Sequence, residues 1–102
     1  MIIVHGSLVA RPETADELLA LSVEHVNRSR AEPGCIEHGV HRDAENPLRF
    51  VFVECWADAA ALAAHFAVPA SRAFVKAAGA LAAGRPEMSM YTATPADLST
   101  RA

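Results

Sequence analysis

Apolar residues recur along this chain in short segments with the two-residue period of strands. Ile and Val dominate residues 2–9, and comparable apolar segments cover 35–42, 48–56 and 88–93. Alternation over segments of this length, bounded by Gly, Pro, Asn or Asp, is typical of β-strands. Residues 43–47 have turn composition, so the second and third segments are predicted to form an antiparallel hairpin.

A helical period separates the first two predicted strands. Pro12 suits the first turn of a helix, and the acidic residues that follow it lie near the positive end of the helix dipole. Glu32-Pro33-Gly34 ends the helix, because Pro cannot continue it and Gly reverses the chain. The apolar stripe of this helix consists of Leu18, Leu19, Leu21, Val23 and Val26.

Two shorter helices are predicted before the last strand. Asp58 is a favourable N-cap for a helix over Ala59–Phe66. Pro69 interrupts that helix, and Ser71 is predicted to cap a further one that runs to Gly84.

The resulting order is β-α-β-β-α-(α)-β, which predicts an α+β, ferredoxin-like fold: a four-stranded antiparallel sheet with helices on one face. The 102 residues suit one domain. We assign residues 1–95 to that domain and residues 96–102 to a C-terminal tail that is flexible or contacts a partner.

Both faces of the predicted sheet are apolar at its centre. Phe50 and Phe52 point one way from the third strand, while Val51, Val53 and Cys55 point the other way. Helices can cover only one of these faces, and monomers avoid large exposed apolar patches. A second copy of the sheet is the simplest cover, so a homodimer is predicted. The alternative is that the tail folds over this face.

Composition excludes several classes of partner and location. The chain is 52% hydrophobic and 21% charged, with a net charge of -3 and no basic block. We therefore expect neither nucleic acid nor a membrane as partner. No apolar run reaches the length of a membrane helix or follows a basic start, so a cytoplasmic location is expected. Two isolated cysteines and the absence of paired ligand spacing predict buried thiols and no metal site.

Several short segments together resemble the antibiotic biosynthesis monooxygenase family. Order and spacing fit this family over roughly residues 2–92, and the resemblance implies its dimeric α+β barrel. The segments that carry it are Glu32-Pro33-Gly34-Cys35-Ile36-Glu37-His38, Asp43, Asn46-Pro47, Phe52-Val53-Glu54-Cys55-Trp56-Ala57-Asp58, Ala61-Leu62 and His65-Phe66.

The resemblance implies a fold with several chemistries. Members oxidise quinols or polycyclic phenols without metal or flavin, degrade haem, or isomerise small molecules, in a cavity between sheet and helices. The haem branch uses an Asn, a Trp and a His at positions where this chain has Ser7, His65 and Val75. Haem degradation is therefore disfavoured.

Candidate site residues follow from the resemblance and from the strand faces. His65 is the candidate catalytic base, because His changes charge near neutral pH; the alternative is a packed His at a helix end. Trp56 and Phe52 are candidates for a wall that stacks on substrate, or for core and interface anchors. His5 and Ser7 share one face of the first strand and could line the pocket or face the partner.

Three further residues are candidate substrate contacts. His25 lies on the first helix, where it could reach the cavity or pack as a half-buried structural residue. Phe66 follows His65 on the second helix. Tyr91, on the last strand, offers either a hydroxyl to the ligand or an interface contact.

Other polar residues of the strands are given structural roles. His38 and His41 are three residues apart and so point to opposite faces of a strand, where both are expected at the surface or an interface. Glu54 is costly to bury alone. It is expected to pair with Arg72 or Arg49, or to lie in the pocket.

The leading hypothesis is a cofactor-independent monooxygenase that oxidises a quinol or polycyclic phenol with molecular oxygen. An isomerase of a small polar carbonyl compound is the second hypothesis. A non-catalytic dimer that binds a small molecule is the third. The sequence alone does not separate them.

Overall fold

The computed structural model describes residues 1–99 and has the ferredoxin-like order predicted from the sequence. Its sheet is fully antiparallel, with strand order β2-β3-β1-β4. The last three residues of the predicted tail, 100–102, lie outside the described residues. The elements are β1 Ile2–Val9, α1 Ala15–Ser29, β2 Cys35–Arg42, β3 Arg49–Trp56, α2 Ala59–Ala67, α3 Pro69–Leu81 and β4 Glu87–Thr92.

Two helices begin at residues other than those predicted. Helix α1 begins at Ala15 rather than at Pro12, because the residues before it form a turn that ends at Thr14. Helix α3 begins at Pro69, two residues before the predicted cap Ser71. The N–H groups of the first helical turn have no partner within the helix, so a proline there loses no hydrogen bond. Pro69 can therefore begin α3 although it ends α2.

The loop between α1 and β2 packs closely against α2. Gly34 has φ 82°, and a Cβ at this position would lie 2.5 Å from the Cβ of Ala61. Only glycine combines this backbone conformation with so close an approach. Asp58 caps α2 as predicted, accepting a hydrogen bond from the Ala61 N–H at 2.8 Å. The loop therefore brings Glu32 next to α2.

The inner face of the sheet carries the core. Val4, Leu8, Phe50 and Trp56 are buried there against helix residues that include Leu18. The same face also carries two polar residues of paired strands, His38 and Glu54, which are directly opposed in the β2–β3 register.

The outer face of the sheet is apolar along β3, as the strand pattern predicts, but mixed along β1, where His5 and Ser7 lie between Ile3 and Val9. Ile3 opposes Cys55 and His5 opposes Val53 in the β1–β3 register. Ile3 is 36% exposed and Tyr91 58% exposed, so the described part of the tail does not cover them. No helix within residues 1–99 is both long and apolar enough to cross a membrane.

Candidate active site

A cavity of about 390 Å³ lies between the inner face of the sheet and the helices. Ligand pockets of proteins commonly measure roughly 300–1,000 Å³. Its walls are mainly apolar, and five ionisable side chains border it: His25, Glu54 and His65, which lie close together, and the charged Arg72 and Glu87. The apolar wall includes Leu8, Phe52, Phe74, Ala78 and Met88.

His65 is held by a carboxylate on one side of its ring. Its Nδ1 lies 2.9 Å from Oε1 of Glu32, in the loop that Gly34 brings against α2. The ring also packs on Trp56, with 4.5 Å between the ring centroids. A carboxylate at Nδ1 favours the tautomer with a proton there, which leaves the lone pair on Nε2. His65 can therefore accept a proton from a bound molecule through Nε2.

Glu54 is a buried carboxylate beside the Trp56 N–H and two imidazoles. Its Oε1 accepts a hydrogen bond from Trp56 Nε1 at 2.9 Å and lies 3.3 Å from Nε2 of His38 and 4.0 Å from Nε2 of His65. Burial opposes ionisation, but the adjacent His38, the Trp56 N–H and His65 outweigh it, so the pKa of Glu54 is below its ordinary value. The site therefore contains a fixed negative charge.

His25 enters the cavity from α1. Its ring stacks on Phe74, with 4.2 Å between centroids, and its Nδ1 lies 3.2 Å from Nη2 of Arg28. Burial, followed by the nearby His38, His65 and Arg28, lowers the pKa of His25 to about 4. His25 is therefore neutral at pH 7.

The cluster corrects the expectation for His38 and, of the two alternatives for Glu54, has the one in which it lies in the pocket. His38 is only 2% exposed, rather than at the surface or an interface. Glu54 contacts His38 and Trp56, while Arg49 pairs with Asp43 at 3.1 Å. A β-bulge between Cys35 and Glu37 precedes His38, so strand parity alone left open which face His38 would occupy.

The structure places five of the eight candidate site residues at the cavity, although Ser7 borders it from the outer face of β1, which it shares with His5. The five are His65, His25, Phe52, Phe66 and Ser7. Trp56 is fully buried behind His65 and Glu54. His5 is exposed on the outer face of the sheet, and Tyr91 lines a second, shallower pocket with Phe66.

Three residues of the site are not predicted from the sequence: the polar Glu32 and His38, and Phe74, whose ring stacks on His25. From sequence, Glu32 is only part of a helix stop and of the family-like segment, and Phe74 is not singled out. His38 was the third omission that matters, since its strand partner is Glu54. That pairing of a His with an acid on adjacent predicted strands is the signal that could have found it.

The low pKa of His25 predicts acid sensitivity of the fold. The unfolded chain takes up a proton on His25 near pH 6.5, while the folded chain takes it up only near pH 4. The unfolded state thus binds more protons between these values, and the free energy of unfolding falls as pH is lowered through this window. The expected loss is on the order of 3 kcal/mol at most. Urea unfolding at pH 7, 6, 5 and 4 measures it.

Matched variants separate His25 from the other histidines. His25→Gln should flatten the pH dependence between 6.5 and 4, while His41→Gln, at an exposed position of β2, should leave it unchanged. An equally steep dependence in His25→Gln would assign the acid sensitivity to another group.

Comparison with known proteins identifies the family. Residues 1–77 match the model of the antibiotic biosynthesis monooxygenase family. The chain belongs to this family.

Similar proteins agree with the assignment. An antibiotic biosynthesis monooxygenase of known structure is 32% identical, with a TM-score of 0.86 over 93% of this chain and 100% of that one. A proposed family member from Deinococcus radiodurans is 31% identical, with a TM-score of 0.90 over 95% and 96% of the two chains. The uncharacterized protein sll1783 of Synechocystis sp. is 36% identical over 88% of this chain. The match spans 61% of that relative's length.

Proposed function

We propose that this protein oxidises a phenol or quinol with molecular oxygen and without a metal or flavin. The observation that supports the proposal is an apolar cavity in which one imidazole, His65, is oriented by a carboxylate and keeps Nε2 available as a base. The names of the family and of the similar structures agree with a monooxygenase reaction.

The chemistry requires little beyond a base and a dry pocket. Nε2 of His65 removes the hydroxyl proton of the substrate. The electron-rich anion gives one electron to oxygen, and the two radicals combine to form a C–O bond at a ring carbon that carries hydrogen. Protonation of the peroxide gives a hydroperoxide. This hydroperoxide then loses water, which carries away the hydrogen of the attacked ring carbon, and the quinone is formed. One oxygen atom enters the product and the other leaves as water.

The walls of the cavity suit a flat aromatic substrate. Phe52 and Phe74 meet edge to face at 6.0 Å between centroids, and Met88 adds a polarisable side chain on β4. Apolar walls limit water, which strengthens the interaction between an anionic substrate and the cationic side chain of Arg72 on the lining. A small polar carbonyl compound would leave most of this apolar wall without a partner. The cavity therefore favours the oxygenase over the isomerase.

Oxygen uptake tests the proposal directly. Protein treated with a chelator is mixed with a panel of hydroquinones and polycyclic phenols, while an oxygen electrode and quinone absorbance are recorded together. We expect one oxygen molecule consumed per quinone formed, at a rate proportional to protein concentration. His41→Gln, which alters an exposed histidine outside the cavity, is the matched control and should retain the rate.

Other outcomes assign another function. Turnover of a carbonyl substrate under nitrogen would support the isomerase. Saturable binding of an aromatic compound with no faster oxidation than in buffer would support a binding protein.

We also propose that the outer face of the sheet forms a homodimer. Exposed Ile3 and Tyr91 are neighbours on this face and adjoin the half-buried Val53 and Val51 of β3, and a second sheet under twofold symmetry would cover them. Sedimentation at micromolar concentration should give a species with the mass of two 10.8 kDa chains.

Two charge substitutions locate the interface. Ile3→Glu, on the outer face, should shift the protein toward the single chain, because a carboxylate would be buried against the partner. Val23→Glu, at a similarly exposed position of α1, should leave the dimer intact. A wild-type protein that sediments as one chain would contradict the proposal.

A further inference from the structure

Three buried imidazoles from three different elements converge beside the cavity. His25 comes from α1, His38 from β2 and His65 from α2, and each is at least nine-tenths buried. One ring nitrogen of each lies within 4.8 Å of one ring nitrogen of each of the others. Histidines far apart in sequence give no ligand spacing, which is why sequence reasoning predicted no metal site.

His38 is the member of this cluster whose position calls for a ligand. Neither of its ring nitrogens has a hydrogen-bond partner among residues 1–99, although the side chain is fully enclosed. Its Nε2 approaches Glu54 at 3.3 Å without a directed hydrogen bond. A buried polar group without a partner costs roughly 1–3 kcal/mol. A ligand between the three rings would offset this cost.

We propose that His25, His38 and His65 bind a divalent transition metal ion, with Zn²⁺ as the best-suited probe. Neutral imidazole is a preferred ligand of zinc, copper and nickel. Three nitrogens at most 4.8 Å apart have a common centre no more than about 2.8 Å from each, against roughly 2.0–2.1 Å for a zinc–imidazole bond. Ring movements of under about 1 Å therefore complete the coordination.

The surroundings of the cluster are those of a metal site. Glu32 accepts from Nδ1 of His65, the arrangement in which a carboxylate orients a ligating histidine and raises its basicity. Glu54 supplies a negative charge beside His38 and His65.

Arg28 can adjust to a metal on His25. Binding through Nε2 places a proton on Nδ1 of His25, which then no longer accepts from Arg28. The same Arg28 nitrogen lies 3.2 Å from the carbonyl oxygen of Ala70, which remains its acceptor. The fourth ligand would be either Glu54, whose Oε1 lies 3.3 Å from Nε2 of His38 and 4.0 Å from Nε2 of His65, or a molecule in the cavity that His25 and His65 line.

Zinc binding to metal-stripped protein tests the site without reference to any reaction. Equilibrium dialysis should give one zinc ion per chain with micromolar or tighter affinity. His38→Gln should weaken binding at least about 100-fold, and Glu32→Gln about 10- to 100-fold. His41 lies on the same strand as His38 but on the opposite face, so His41→Gln should bind zinc as the wild type does.

Cobalt gives a readout that does not depend on a variant folding. Co²⁺ bound by the wild-type chain should show visible absorption of tetrahedral intensity, and Zn²⁺ should abolish it by displacement. Absence of this band together with absence of zinc binding, or equal zinc binding by His38→Gln and the wild type, would overturn the proposal.

The metal site and the proposed oxygenase can fail separately. Zinc on Nε2 of His65 would occupy the lone pair that the base needs, so oxygen uptake should fall as zinc fills the site. Zinc binding, together with no oxygen uptake by the metal-stripped protein, supports the metal site and removes the oxygenase. Oxygen uptake without zinc binding would support the oxygenase and remove the metal site.

Discussion

Replacing His65 with Asn is expected to lower kcat for oxygen uptake by about 10²- to 10⁴-fold, the range typical of a general base. Asn has an amide N–H near the position of Nδ1, so it can still donate to Glu32, which lies 2.9 Å from that nitrogen. It has no group at the position of Nε2. The variant therefore removes the base while retaining the hydrogen bond that holds α2 to the preceding loop.

His25→Asn is the matched control, because His25 is the other imidazole on the cavity lining. Its Nδ1 lies against Arg28, and its ring is stacked on Phe74. We expect a change in KM from the lost stacking surface and a smaller change in kcat. Steady-state oxygen consumption by both variants at saturating quinol decides the assignment. An unchanged kcat in His65→Asn would remove His65 as the base, and a larger loss in His25→Asn would transfer that role.

Strand parity predicted most of the sheet, because apolar residues settle which face each strand buries. Phe50 and Phe52 lie on the inner face and Val51 and Val53 on the outer face, as their alternation indicates. Short turns at 43–47 and a proline at Pro69 fixed the order of elements. Helix starts were less predictable, since Pro69 both ends one helix and begins the next.

The site was harder to predict, because strand parity indicates which face of the sheet a side chain occupies but not how deeply it is buried. Trp56 shares the inner face with Phe52, yet Leu62 and His65 cover it while Phe52 remains at the cavity. Glu32 reaches His65 only because Gly34 permits the close approach to Ala61. Such contacts depend on how loops pack in three dimensions, which periodicity does not encode.

Replacing Trp56 with Ala is expected to lower the free energy of unfolding by about 3–5 kcal/mol. The side chain is fully buried among Val4 and Leu62, so its removal leaves a cavity. Its N–H is also a donor to Glu54, whose buried charge then loses a partner. A loss of this size is a large part of the stability of a small domain, roughly 5–15 kcal/mol.

Trp56→Phe separates packing from the hydrogen bond, because Phe fills most of the space but cannot donate. Its expected loss is about 1–3 kcal/mol. Urea unfolding followed by far-ultraviolet circular dichroism measures both variants, since Trp56 is the only tryptophan and its fluorescence disappears with it. Phe66→Ala, at a 40% exposed position, should cost less than either variant. Equal stability of Trp56→Ala and the wild type would contradict this account of the core.

The same pair of variants tests the sequence-based role of Trp56 as a stacking wall. Trp56 reaches the cavity only through Glu54 and His65, so Trp56→Phe should leave KM for an aromatic substrate nearly unchanged while stability falls. A large increase in KM at preserved stability would instead place the indole ring in contact with substrate. The two readouts thus distinguish a residue that supports the base from one that binds the ligand.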